Sequence, residues 1–143
     1  MGTLIQTRIF EMKALMRRAG STGTRETPAI DREVLRAWVA DDEAAVDEFL
    51  IIFRDSARLE MTRLRDALVE GDLIGFLKAA HRLRGGAISM GARDLARAAG
   101  VVEAAAKVGD GPACEAGMAN LAIQMERMSA ELPDTPAVST PLD

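Results

Sequence analysis

The chain has 143 residues, 48% of them hydrophobic and only 3% aromatic, with no tyrosine and a formal net charge of −4. That length suits one domain with short appendages, and an alanine- and leucine-rich, aromatic-poor composition favours packed helices over sheets. The acidic balance argues against nucleic acid as the main partner. The single cysteine, Cys114, excludes a disulfide framework or a cysteine metal site. No apolar run reaches the length of a membrane span, and the first 20 residues lack the apolar core and cleavage site of a signal peptide. A reduced, cytoplasmic setting is expected.

Residues 3–18 set Ile5, Ile9, Met12 and Met16 on one side of a predicted helix flanked by Arg8, Lys13, Arg17 and Arg18. Such a helix packs on the domain or on a neighbouring chain, so a homodimer through it is open. A membrane-surface role is the weaker reading, and insertion is not expected. Residues 19–28, rich in Gly, Ser and Thr, read as a linker, so 1–28 form an appendage to a domain over 29–132.

Asp31 can cap a short helix through about Val39, with Leu35 and Trp38 directed inward. Asp41 or Asp42 opens a long helix to Glu70, whose inward stripe is Val46, Phe49, Leu50, Phe53, Ala57, Leu64 and Leu68. Gly71 then ends it. Asp72 caps a helix from Leu73 to about Met90, with Leu73, Phe76, Ala80, Leu83, Ala87 and Met90 inward, and Gly91 stops it. Arg93 or Asp94 begins a helix through Val108, burying Leu95, Ala98, Val102 and Ala106. After the turn Gly109-Asp110-Gly111, Pro112 suits the first turn of a last helix carrying Met118, Leu121, Met125, Met128 and Leu132. Methionines at this spacing are core fillers, and the glycine turns argue against a long coiled coil. Residues 133–143, rich in Pro, Ser and Thr, form a tail expected to be disordered. Four long helices with short connections predict an all-α, antiparallel up-down-up-down four-helix bundle with extra short N-terminal helices.

His81 is the only histidine, and it opens the run HRLRGGAISMGA over residues 81–92. Gly85 and Gly86 lie inside a segment whose flanks are strongly helical, where each glycine costs roughly 1 kcal/mol relative to alanine. A close approach to the helix surface beside His81 would account for them; close helix packing is the alternative. The helical wheel places His81 beside the inward stripe, on the helix's outer flank, with Lys78, Arg84, Gly85 and Ile88 around it. A lone helical histidine is more often a surface residue without chemistry. Here a basic residue and a small pair fall on its own face. Imidazole exchanges its proton near neutrality, so a solvent-reachable ring offers a nitrogen lone pair that can act as a nucleophile. Arg84, one turn on, sets a cation beside the ring, although a solvated arginine or a helix salt bridge would also explain it. Lys78 adds charge on the other side.

This run resembles the signature of histidine-containing phosphotransfer (HPt) domains, roughly H-x-L-K-G-S-S-A-N-L-G-A. His81, Leu83, Gly85, Gly91 and Ala92 match it, Arg84 replaces the lysine and Met90 a leucine, while Gly86, Ala87, Ile88 and Ser89 depart from the S-S-A-N portion. Upstream ALVEGDLIGFLKAAH and downstream Leu95 and Val102-Glu103 extend the likeness over residues 29 to about 132. The resemblance implies a phosphorelay carrier, phosphorylated on His81, that moves phosphoryl groups between receiver aspartates or from a sensor or hybrid histidine kinase to a receiver. It implies that Glu103 contacts one ring nitrogen and leaves the other free, and that Arg84 neutralises the phosphoryl oxygens. The expected partners are response-regulator receivers and a histidine kinase, docking over the His81 helix with Leu77 and Ile88 at the apolar centre, Lys78, Arg82 and Arg84 at the rim, and Gly85 and Gly86 as a clearing.

No Walker-type loop, acidic magnesium pocket or Ser-His-Asp set is legible, so no ATP binding, self-phosphorylation or resident cofactor is expected. Magnesium would come with the receiver. The competing readings are a non-catalytic helical module that binds and regulates a receiver or kinase, and a helical haem or metal protein. The latter is weakened by the lone histidine and the missing C-x-x-C-H.

Overall fold

A computed structural model describes residues 27–133. The predicted N-terminal helix, most of the linker and nearly all of the predicted tail lie outside them. Five helices follow in order: α1 (Arg32–Arg36), α2 (Glu43–Glu70), α3 (Leu73–Ser89), α4 (Arg93–Lys107) and α5 (Gly111–Ala130). Helices α2 to α5 form the expected antiparallel bundle, each packed on its sequence neighbour.

Local chemistry sets most of the ends. Asp31, Asp42, Asp72 and Asp110 accept backbone N–H bonds at the starts of α1, α2, α3 and α5, satisfying donors that the first helical turn leaves open. Gly71, Gly91 and Gly109 take left-handed φ values at the turns. Among the described helices, α4 alone lacks a side-chain cap.

The core runs the length of the bundle through Val46, Leu50, Leu64, Phe76, Leu83, Leu95, Val102, Leu121 and Met128, all buried. Much of the rest is alanine: Ala79, Ala80 and Ala87 on α3, with Ala98 and Ala99 on α4. Short side chains let two helix backbones come close, and among the described residues α3 and α4 make the most extensive helix pair. Helices α2 and α5 meet far more sparingly.

Residues 27–31 fasten the N-terminal side to one end of the bundle. Glu131 accepts from Ala29 N (2.5 Å) and Ile30 N (3.1 Å), Asp31 N donates to the Gly91 carbonyl (2.7 Å), and Arg127 donates to the Thr27 carbonyl (3.1 Å).

Two packing expectations are corrected. The first helix ends at Arg36 and gives way to a turn through Ala40 and Asp41, both at positive φ. The turn leaves Leu35 buried and Val39 half-buried, and rotates Trp38 outward to 79% exposure. Phe49 is likewise on a flank of α2, nearly half exposed, because Val46, Leu50 and Phe53 already fill the inward arc.

Gly91 is the turn with least latitude. A Cβ there would lie 2.4 Å from the Asp31 carbonyl oxygen, on top of a φ of +74°. Gly71 has φ +70° but open space around it. Gly91→Ala should therefore cost roughly 2 kcal/mol or more, against about 1 kcal/mol for Gly71→Ala, in denaturant unfolding of the two variants.

Candidate functional site

The α3–α4 seam carries the chain's one histidine. His81 is on the outer flank of α3 with its side chain 72% exposed, while Glu103, opposite on α4, is 4% exposed. Glu103 Oε2 lies 2.7 Å from His81 Nδ1. A carboxylate only accepts, so Nδ1 carries the proton and donates, and Nε2 is left outside this contact. The second oxygen, Oε1, accepts from Arg84 Nη1 at 3.1 Å, and Lys107 Nζ stands 4.0 Å from Oε2.

Burial alone would raise the Glu103 pKa. The hydrogen bonds from His81 and Arg84, and the charges of His81 and Lys107, outweigh it and hold the carboxyl below its ordinary value. The site is thus a buried anion under an exposed imidazole. Gly100 of α4 lies under the Arg84 side chain, and a Cβ there would meet Arg84 Nε at an ordinary contact distance of 3.6 Å.

The remaining predicted residues separate into two flanks. Lys78, Gly85 and Ile88 are exposed around His81, and Leu77 is half-buried on the same face. Arg82 turns toward α2, where Nε and Nη2 hold Glu60 at 2.6 and 3.2 Å, and Arg63 joins from one turn along. Burial pushes the Glu60 pKa up, but the two arginines bring it down overall, and Glu60 raises that of Arg82.

The two glycines differ. A Cβ on Gly85 meets nothing within 4 Å, so this position is open surface. A Cβ on Gly86 would stand 2.9 Å from Phe53 Cε1. The expectation that Gly86 extends a clearing for a partner is therefore corrected: its missing side chain is filled by the Phe53 ring of α2.

Three features escaped sequence reasoning. Ile74 is 69% exposed, seven residues before His81, and matches Ile88 (58%) seven residues after it. The heptad spacing was a legible signal. Gly100 sits inside a helix without an evident local reason, which was a weaker one. The Glu60–Arg82 pairing had none.

Among the described residues, no group of three or more His, Cys, Asp or Glu side chains is placed to hold a metal ion, and no helix is long and apolar enough to cross a membrane.

Against known families, the Hpt domain model matches residues 48–131, more than half of the chain. Among solved structures, the chain is similar to histidine-containing phosphotransfer protein B from Pseudomonas aeruginosa PAO1. The TM-score is 0.67 at 24% identity, covering 73% of this chain and 91% of that one, a likeness of fold. No curated protein matches.

Two measurements check this geometry. Gly85→Ala should raise stability by up to about 1 kcal/mol, the helix-propensity gain. Gly86→Ala should lower it, by about 1 to 3 kcal/mol, because the Phe53 ring must move. Glu103 has a depressed folded pKa, so its contribution is present above the ordinary value of 4.5 and lost as pH falls through the folded value. The stability advantage of the parent over Glu103→Gln should then shrink on acidification below about pH 4.5, read by urea unfolding across pH.

Proposed function

The chain belongs to the Hpt domain family, and from that membership we propose that His81 is the residue on which it carries the phosphoryl group. Hpt domains are phosphocarriers of two-component phosphorelays and generally work with receiver domains and histidine kinases. The observation that carries the residue assignment is the pairing of an exposed imidazole with a buried carboxylate on Nδ1.

The step runs as follows. The Nε2 lone pair attacks the phosphorus of a receiver's aspartyl phosphate, the Nε2–P bond forms, and the P–O bond to the aspartate breaks with the electron pair leaving on that carboxylate. Nε2 gains a substituent while Nδ1 keeps its proton, so positive charge develops on the ring. Glu103, already fixed at 2.7 Å, lies where that charge appears and requires no rearrangement to stabilise it. Arg84 screens the carboxylate and, by rotating outward, can meet the phosphoryl oxygens. Transfer onward is the same step reversed on another receiver.

Gly85 leaves room for the partner's active-site loop. Ile74, Leu77 and Ile88 supply apolar contact along the face, with Lys78 and Arg84 near the ring and Arg82, held by Glu60, at the α2 edge. The carrier takes no ATP and holds no cofactor of its own. Magnesium arrives with the receiver, as do the remaining catalytic groups. A cytoplasmic location fits the single, buried, unpaired Cys114.

The test is incubation with a phosphorylated receiver. The parent should acquire acid-labile, base-stable label, and His81→Gln should acquire none while keeping its helical circular dichroism. Label persisting on that variant would refute the assignment, and tight binding without label on the parent would favour a purely regulatory module. Glu103→Ala should slow transfer by about tenfold or more, since it removes the group that orients the ring. Gly85→Gln should slow it too, without loss of stability.

A further inference from the structure

We propose that residues 3–18 pack as a helix into the groove between α2 and α5 of their own chain, on the face opposite His81. The bundle is unevenly closed: α2 and α5 touch far less than the other neighbouring helices. The gap forms two adjoining hollows of about 680 and 900 Å³, which share Arg65 and Ala122 and so form one groove. Met61 and Leu68 of α2 face it one heptad apart, and α5 lines it with Met118, Ala122, Met125 and Ser129.

The α5 stripe has spacings of four, three and four residues. Ile5, Ile9, Met12 and Met16 have the same spacings. Both stripes cover about 16.5 Å of helix at 1.5 Å per residue. Two helices whose facing stripes repeat at the same spacing, here apolar on α5 up to the small Ser129, pack side by side with their ridges in register. Methionine and alanine on the receiving side give an adaptable floor for isoleucine and methionine knobs. The groove is acidic on its α5 rim, with Glu115 and Glu126, and basic on its α2 rim, with Arg58 and Arg65, so the Arg and Lys that flank the segment lie toward α5 in this packing.

The entry point decides for the same chain over a second copy. Thr27 is tied to Arg127, and Ala29 and Ile30 to Glu131, at the end of α5 where Ser129 and Ala130 form the groove's mouth. Residues 19–26 can extend to about 26 Å, ample to bring residue 18 to that mouth. A tether this short gives a local concentration in the millimolar range, which a second molecule does not reach at ordinary protein concentrations. The α3–α4 seam lies across the bundle, so a filled groove leaves His81 open.

Amide hydrogen exchange on the full chain tests this, with Ile9→Asp and Ala122→Asp as probes from the two sides. The parent should show amides of residues 5–16 slowed about tenfold or more, at a rate independent of protein concentration and with monomer mass in sedimentation. Both variants should lose that protection while α3 and α4 amides keep theirs, which separates undocking from unfolding. Free exchange over 5–16 in the parent overturns the proposal. So does protection that survives Ala122→Asp, which would place the segment elsewhere, or protection that appears only with a dimer.

Discussion

The organising interaction is a carboxylate buried between two helices and held ionised by groups that reach it from the surface. Glu103 has almost no contact with water, and a lone buried carboxylate would take up a proton or destabilise the fold. It does neither because His81 and Arg84 each donate to one of its oxygens. The consequence runs both ways. The two donors keep the anion charged, and the anion fixes the imidazole in one tautomer and one orientation. A histidine on an exposed helical face would otherwise sample several rotamers, and the ordering would have to be paid for at each encounter with a partner.

That arrangement depends on backbone spacing more than on the charged residues themselves. A 2.7 Å contact between side chains of two helices requires those helices to stand close and in fixed register. Alanines at the α3–α4 contact provide the first, and the Gly91 turn, clamped against Asp31, provides the second. The charged site is thus built on small residues, each of which matters for the space it leaves empty.

Much of this was legible in the sequence. Aspartates before apolar stripes and glycines after them marked the helices, because capping and left-handed turns are local chemistry. Glu103 was reachable only through the family resemblance, since nothing in the local pattern links residues 81 and 103. Trp38 and Phe49 failed for a different reason. An apolar residue near a stripe is inward only if the arc has room, and Leu35 with Val39, or Val46 with Leu50 and Phe53, had already filled it. Arg82 belongs to neither class. Its partner Glu60 lies 22 residues away on another helix, and no periodicity reports such a pairing.

The adjacent glycines show how far a local signal can be taken. Two glycines in a helix announce that side chains are unwelcome, but not on whose account. One step of the helix rotates the position by 100°, and that rotation separates solvent from the neighbouring helix. Gly85 points to open space beside His81, whereas Gly86 points at the Phe53 ring. The first is free to serve a partner and the second serves the fold. Helix α2 thus meets α3 at two separate points, the Phe53 ring against Gly86 and, two turns along α2, Glu60 holding Arg82. On the function proposed above, a surface that receives successive partners gains from fixed borders, and here Glu60 holds Arg82 on the α2 side while Glu103 holds Arg84 on the α4 side.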